Sequence, residues 1–149
     1  MQKLRFTTTI DAPAEKVWKT MLDDATYRQW TEPFTAGSHF VGDWSEGSEI
    51  LFLGPGPNGE MSGMVSRIKT SRPHEYIAIE HLGLVHDGRK DTTSDAVSAW
   101  AGALETYTFC ETAGGTELVV EMDANEEYAE MFEDSWPKAL AKLKALSEQ

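Results

Sequence analysis

The chain has 149 residues, 40% hydrophobic and 26% charged, the make-up of one globular domain. Lys and Arg number 13 against 25 Asp and Glu, a net charge of −12, so the field repels DNA, RNA and anionic lipid and argues against a nucleic-acid or membrane-surface binder. No apolar run reaches the ~18 residues of a membrane span, residues 1–6 lack the apolar stretch of a leader peptide, which predicts a cytoplasmic protein, and a single cysteine excludes an intrachain disulfide or a cysteine-rich metal site.

Residues 4–10 are β-branched and aromatic and predict a strand. Asp11-Ala12-Pro13 then opens a helix whose stripe is Val17, Trp18, Met21 and Leu22. Asp24 is placed to cap a second short helix carrying Tyr27 and Trp30, ended by Pro33. Strands at 38–44 and 48–53 flank the turn Ser45-Glu46-Gly47, and strands at 60–69 and 75–82 flank a turn at 70–74. Residues 83–102 interrupt the pattern. Gly83 to Gly88 reads as a turn, residues 89–95 are polar, and a short helix capped by Ser94 runs toward Trp100. Strands at 103–111 and 116–122 follow, joined through Gly114-Gly115. Cys110 lies in an apolar-aromatic run and reads as a buried, inert thiol.

From residue 126 to 146 a long helix is predicted. Tyr128, Met131, Phe132, Trp136, Leu140, Leu143 and Leu146 recur every three or four residues. Acidic residues fill its first turns and lysines its last, complementing the helix dipole. Pro137 predicts a kink or break around 133–137, because it lacks an N–H and crowds the carbonyl four residues back. Strands in runs with segregated helices make an α+β fold: an antiparallel sheet of about seven strands, one face covered by the final helix.

Two motifs fail on context. Gly54 to Gly59 matches the dinucleotide pattern G-x-G-x-x-G, but a strand follows where the pattern requires a helix, so the segment reads as a hairpin loop. His74-Glu75 begins like the zinc motif H-E-x-x-H, yet Ala78 stands where the second His belongs. No cofactor or metal is expected.

His81 shares strand parity with Ile77 and Ile79, so inward isoleucines carry it to the inner rim, where Glu105 is a potential partner. The aromatic residues fit plain core packing one by one. As a set, those at both ends of the sheet and on the covering helix suit the lining of one apolar cavity. The candidate ligand-binding set is Trp30, Phe40, Trp44, Met61, Ile79, His81, Trp100, Tyr107, Met131 and Trp136, with Met61, Met64 and Met131 as adaptable lining.

Two segments then look familiar. Residues 10–18, from Ile10-Asp11-Ala12-Pro13 to Val17-Trp18, and Tyr27-Arg28-Gln29-Trp30 resemble the opening of START/Bet v 1-like (SRPBCC) lipid-binding domains. Phe40, Gly42, Asp43, Trp44, Glu46-Gly47-Ser48, Gly63-Met64-Val65, residues 105–109, Gly114-Gly115-Thr116 and Trp136 with Leu140, Leu143 and Leu146 resemble the branch named for activators of the Hsp90 ATPase. The resemblance spans essentially the whole chain. It implies a helix-grip fold: seven antiparallel strands gripping the C-terminal helix, with two small helices closing one end. It also implies a hydrophobic ligand between sheet and helix.

Three functions are weighed. The first is binding of a small hydrophobic molecule. The second is an enzyme acting on a hydrophobic substrate, with His81, Glu105 and Tyr107 as acid, base and hydrogen-bond donor. The third is a chaperone-associated stress-response role, drawn from the family name and the acidic surface. Binding ranks first and catalysis is not expected to be the role. Exposed sheet edges allow a homodimer.

Overall fold

The computed structural model describes residues 2–56 and 58–149. Met1 and Pro57, which fall within the leader reading and the loop predicted at 54–59, lie outside the described residues.

The first strand, β1 (Gln2–Ile10), leads into two short helices, α1 (Ala14–Leu22) and α2 (Asp24–Trp30). Pro13 is the N-cap of α1, and Ala14, Val17, Met21 and Leu22 form its buried stripe. Asp23 rather than Asp24 holds the N-cap of α2, with no side-chain cap bond. Asp24 sits inside the helix and pairs with Arg28 at 3.0 Å. Strands β2 (His39–Gly42), β3 (Glu49–Pro55), β4 (Met61–Arg72) and β5 (Tyr76–His86) follow as antiparallel neighbours. After them come β6 (Arg89–Asp91), α3 (Asp95–Ser98), β7 (Leu104–Thr112), β8 (Gly115–Ala124) and α4 (Glu126–Ser147).

The sheet runs β1-β8-β7-β5-β4-β3-β2, with β6 paired to β5 off this path. The chain thus returns to its start: β8 pairs with β1 from Gln2↔Ala124 to Ile10↔Thr116. Register shifts at Val65/Ser66 and Ile68/Thr70 interrupt the β4–β5 ladder. Such irregularities bend a strand and increase its twist, and here they fall in the two longest strands.

Three local expectations are corrected. The predicted turn at Gly83 to Gly88 is strand as far as His86, and only Asp87-Gly88 turns, into β6. Gly83 is there for space. A Cβ would lie 2.1 Å from the Asp91 carbonyl oxygen, so only glycine lets that segment lie against β5. This adds an eighth strand to the seven expected. The break predicted around Pro137 is absent, and α4 runs unbroken from Glu126 to Ser147. Pro137 and Glu133 are both exposed, so the carbonyl that loses its partner can be met by water. Cys110 is exposed rather than buried. Tyr107 and Phe109 face inward, and strand alternation turns the residue after them to the convex side.

The core fills the concave side. Ile10, Ile50, Ile68, Ile77, Ile79, Leu118 and Val120 meet Trp136, Ala139, Leu140 and Leu143 of α4 and the stripe of α1. Helix α4 lies chiefly against β1, α1 and α2. It therefore lies most closely over the β1 end of the sheet and leaves a space between itself and part of the concave surface of β3, β4, β5 and β7.

Candidate functional site

That uneven cover leaves a cavity of about 540 Å³, within the range of ~300–1,000 Å³ usual for small-molecule sites. Its wall is aromatic and aliphatic. Tyr27, Trp30 and Phe34 come from α2 and the turn after it, Phe52 and Met64 from β3 and β4, and Trp100 from the segment after α3. Tyr107 and Met122 come from β7 and β8, and Met131, Phe132 and Trp136 from α4. Leu84, Tyr128 and Met131 are exposed although they line it, so they form its mouth.

Trp136 is the pivot. Only 3% exposed, it lies 5.8 Å from Trp30, 5.0 Å from Phe34, 6.1 Å from Phe6 and 6.1 Å from Tyr107, centroid to centroid. Its indole N–H is directed at the Met122 sulfur, 3.1 Å away. Trp30 donates its indole N–H to the Met21 carbonyl at 3.0 Å. Both rings are held by packing and by a hydrogen bond, so this wall is rigid before any ligand arrives.

Against this apolar wall stands a connected polar array. Ser66 Oγ lies 2.7 Å from His81 Nδ1, His81 Nε2 lies 3.1 Å from Glu105 Oε1, and the Tyr107 hydroxyl donates to Glu105 Oε2. The first register shift in β4 sets Ser66 opposite His81. His81 bonds through its backbone to Gly102 and Ala103, just before β7, which brings Glu105 alongside. His81, Glu105 and Tyr107 face the cavity, whereas Ser66 is fully buried behind them.

Burial pushes the Tyr107 phenol well above its ordinary pKa, and the nearby Glu105 charge adds to the shift. Tyr27 is raised for the same two reasons, opposed by a hydrogen bond with Ser38. Both phenols therefore remain protonated donors at neutral pH.

Of the ten residues expected to bind ligand, Trp30, His81, Trp100, Tyr107, Met131 and Trp136 line the cavity. Phe40 and Trp44 sit one layer out, packed on Tyr27 at 5.0 and 6.2 Å. Ile79 is wholly buried in the core, outside the wall. Met61 is exposed at the start of β4, outside the cavity, and Met64 on the same strand lines it instead. His81, expected at an inner rim, is buried. The sequence reading missed Ser66, because the register shift that brings it to His81 leaves no periodic mark. It also missed Tyr27 as a wall residue, although Tyr27 shares the short helix of Trp30.

A bent antiparallel sheet holding a C-terminal helix, closed at one end by two short helices over an apolar hollow, defines a helix-grip protein of the Bet v 1-like superfamily. Within it the chain belongs to the family described as Activator of Hsp90 ATPase homolog 1-like protein, which matches residues 11–148. A crystal structure of a protein from Chromobacterium violaceum superposes with a TM-score of 0.71 at 20% identity, over 100% of this chain and 99% of that one. One from Nitrosomonas europaea gives 0.76 at 16% identity, over 97% and 92%. The solution structure of an AHSA1-like protein from Aeromonas hydrophila gives 0.69 at 16% identity, over 99% and 92%. At these identities the likeness establishes the fold. No curated protein shows a significant sequence match. Among the described residues no helix is long and apolar enough to cross a membrane.

Proposed function

We propose that the chain binds a small hydrophobic molecule between the sheet and α4. The observation that carries this reading is the cavity of about 540 Å³ with a predominantly apolar wall. Filling it would remove apolar surface from water on both partners, at roughly 25 cal/mol per Å². The expected result is that aromatic and lipid-like compounds raise the melting temperature, persist as one-to-one complexes in native mass spectrometry and change tryptophan emission, since Trp30, Trp100 and Trp136 line the wall. A broad hydrophobic panel that produces neither complexes nor a shift overturns the reading.

A second reading, an enzyme acting on a hydrophobic substrate, draws support from the contiguous His81, Glu105 and Tyr107 side chains at the cavity. Its test is turnover of any compound found to bind: conversion that His81→Ala abolishes while binding persists favours catalysis, and unchanged compound after long incubation removes it.

A further inference from the structure

The polar side of the cavity carries one sign of charge. Glu105 and Asp123 face it, and among the described residues no Lys or Arg lines it. The Asp123 carboxylate is already engaged by Lys3 at 3.3 Å and by the Leu104 N–H at 3.0 Å. Among the described residues Glu105 has no Lys or Arg partner. Its side chain is 15% exposed, and its contacts are the Tyr107 hydroxyl and His81, which is cationic only when protonated. Two carboxylate oxygens offer about four acceptor positions, and among the described residues two bonds to Glu105 are made. The carboxylate therefore retains room to accept from a guest.

Aromatic rings share the cavity wall with this acceptor. Tyr107 touches Glu105 directly, Trp136 lies 6.1 Å from Tyr107, and Phe52 lies 6.2 Å from His81 and 6.3 Å from Tyr27. Ring faces attract cations through their quadrupole, the more so when the cation is desolvated. A carboxylate in an aromatic-lined cavity suits an ammonium group and disfavours a carboxylate or phosphate. The Tyr27 and Tyr107 phenols, raised first by burial and then by the charge of Glu105, stay protonated beside it.

Resting on the proposal that the cavity holds a hydrophobic guest, we infer that the guest is a hydrophobic amine, its ammonium group held by Glu105 among the rings of Tyr107, Phe52 and Trp136 and its apolar body against Trp30, Phe34 and Met131. Acidic lipids and fatty acids are disfavoured at the same site by charge, since among the described residues neither Lys nor Arg lines it.

The test compares three probes with one apolar body, naphthylethylamine, naphthylethanol and naphthylacetate, by isothermal titration of the full chain at neutral pH. The amine is expected to bind about tenfold or more tighter than the alcohol, and the carboxylate more weakly than either. Glu105→Gln is expected to bring the amine-to-alcohol affinity ratio down toward one. The ranking in the unaltered chain needs no variant and stands even if Glu105→Gln misfolds. An alcohol or carboxylate that equals or exceeds the amine overturns the amine assignment while leaving a hydrophobic site intact, as does a folded Glu105→Gln chain with an unchanged ratio. Failure of all three probes, together with failure of the broader panel, removes the binding reading itself and this inference with it.

Discussion

At the scale of single residues, the polar array is what separates this cavity from an ordinary hydrophobic void. Ser66 and His81 are both buried, and each holds the other's polar atom at 2.7 Å. A buried donor or acceptor left without a partner costs about 1–3 kcal/mol, so the array keeps Glu105 aimed at the cavity only while it is complete. The phenols give it a signature in alkaline solution. In the unfolded chain tyrosine loses its proton near pH ~10, while folded Tyr27 and Tyr107 hold theirs to higher pH. A group whose folded pKa is raised contributes stability that is complete below the unfolded pKa and is lost as pH rises through the folded one. Unfolding is therefore expected to become easier above pH ~10, by up to about 1.4 kcal/mol per pH unit for each phenol. Urea midpoints across the alkaline range measure this, with Tyr27→Phe expected to flatten the decline. An unchanged slope in that variant would show that Tyr27 does not titrate as assigned.

Elements show where local rules are met and where they yield. Proline within a helix interior costs roughly 3 kcal/mol relative to alanine, yet α4 continues through Pro137. Packing accounts for it. Ser135, Trp136, Ala139, Leu140 and Leu143 are buried around an exposed proline, so tertiary contact holds the helix that propensity alone would interrupt. Pro137→Ala restores one backbone hydrogen bond and removes no buried side chain. It is expected to stabilise the chain by about 1–3 kcal/mol, less the greater freedom it gives the unfolded state, as read by thermal or urea unfolding. A loss of stability would mean that the pyrrolidine ring itself packs usefully against Leu140 or Phe6. Most of the element order was legible beforehand, because the amphipathic stripes of α1 and α4, the glycine turns and the alternating strands each carry a period. What was not legible was set by non-local contact: Gly83 reads as a turn until Asp91 is seen pressed against it, and Asp24 reads as a cap until Arg28 is seen beside it. The site divides in the same way. Trp30, Trp100 and Trp136 declared themselves by type and position, whereas the Ser66–His81–Glu105 register depends on a shift between strands that residue types do not encode.

For the molecule as a whole, charge and topology have the widest reach. With a net charge of −12, like charges repel across the surface. The ion pairs such as Lys90–Glu49 and Lys138–Asp134 are exposed, and such pairs contribute little individually. Raising sodium chloride from about 10 mM to about 150 mM shortens the screening length from ~30 to ~8 Å. The melting temperature is accordingly expected to rise by a few degrees. A fall would show that the surface pairs outweigh the repulsion. Topology bears on how the chain is made. Strand β1 closes against β8 over more than a hundred intervening residues, and α4 comes after both. On a ribosome, β1 must wait, unpaired with β8, until the residues between them and β8 itself have emerged. During that interval the aromatic rings destined for the hollow have neither sheet nor helix to shelter them. The nascent polypeptide is thus most prone to clump before β8 and α4 have emerged, and anything able to occupy the hollow as it forms would shorten that dangerous interval.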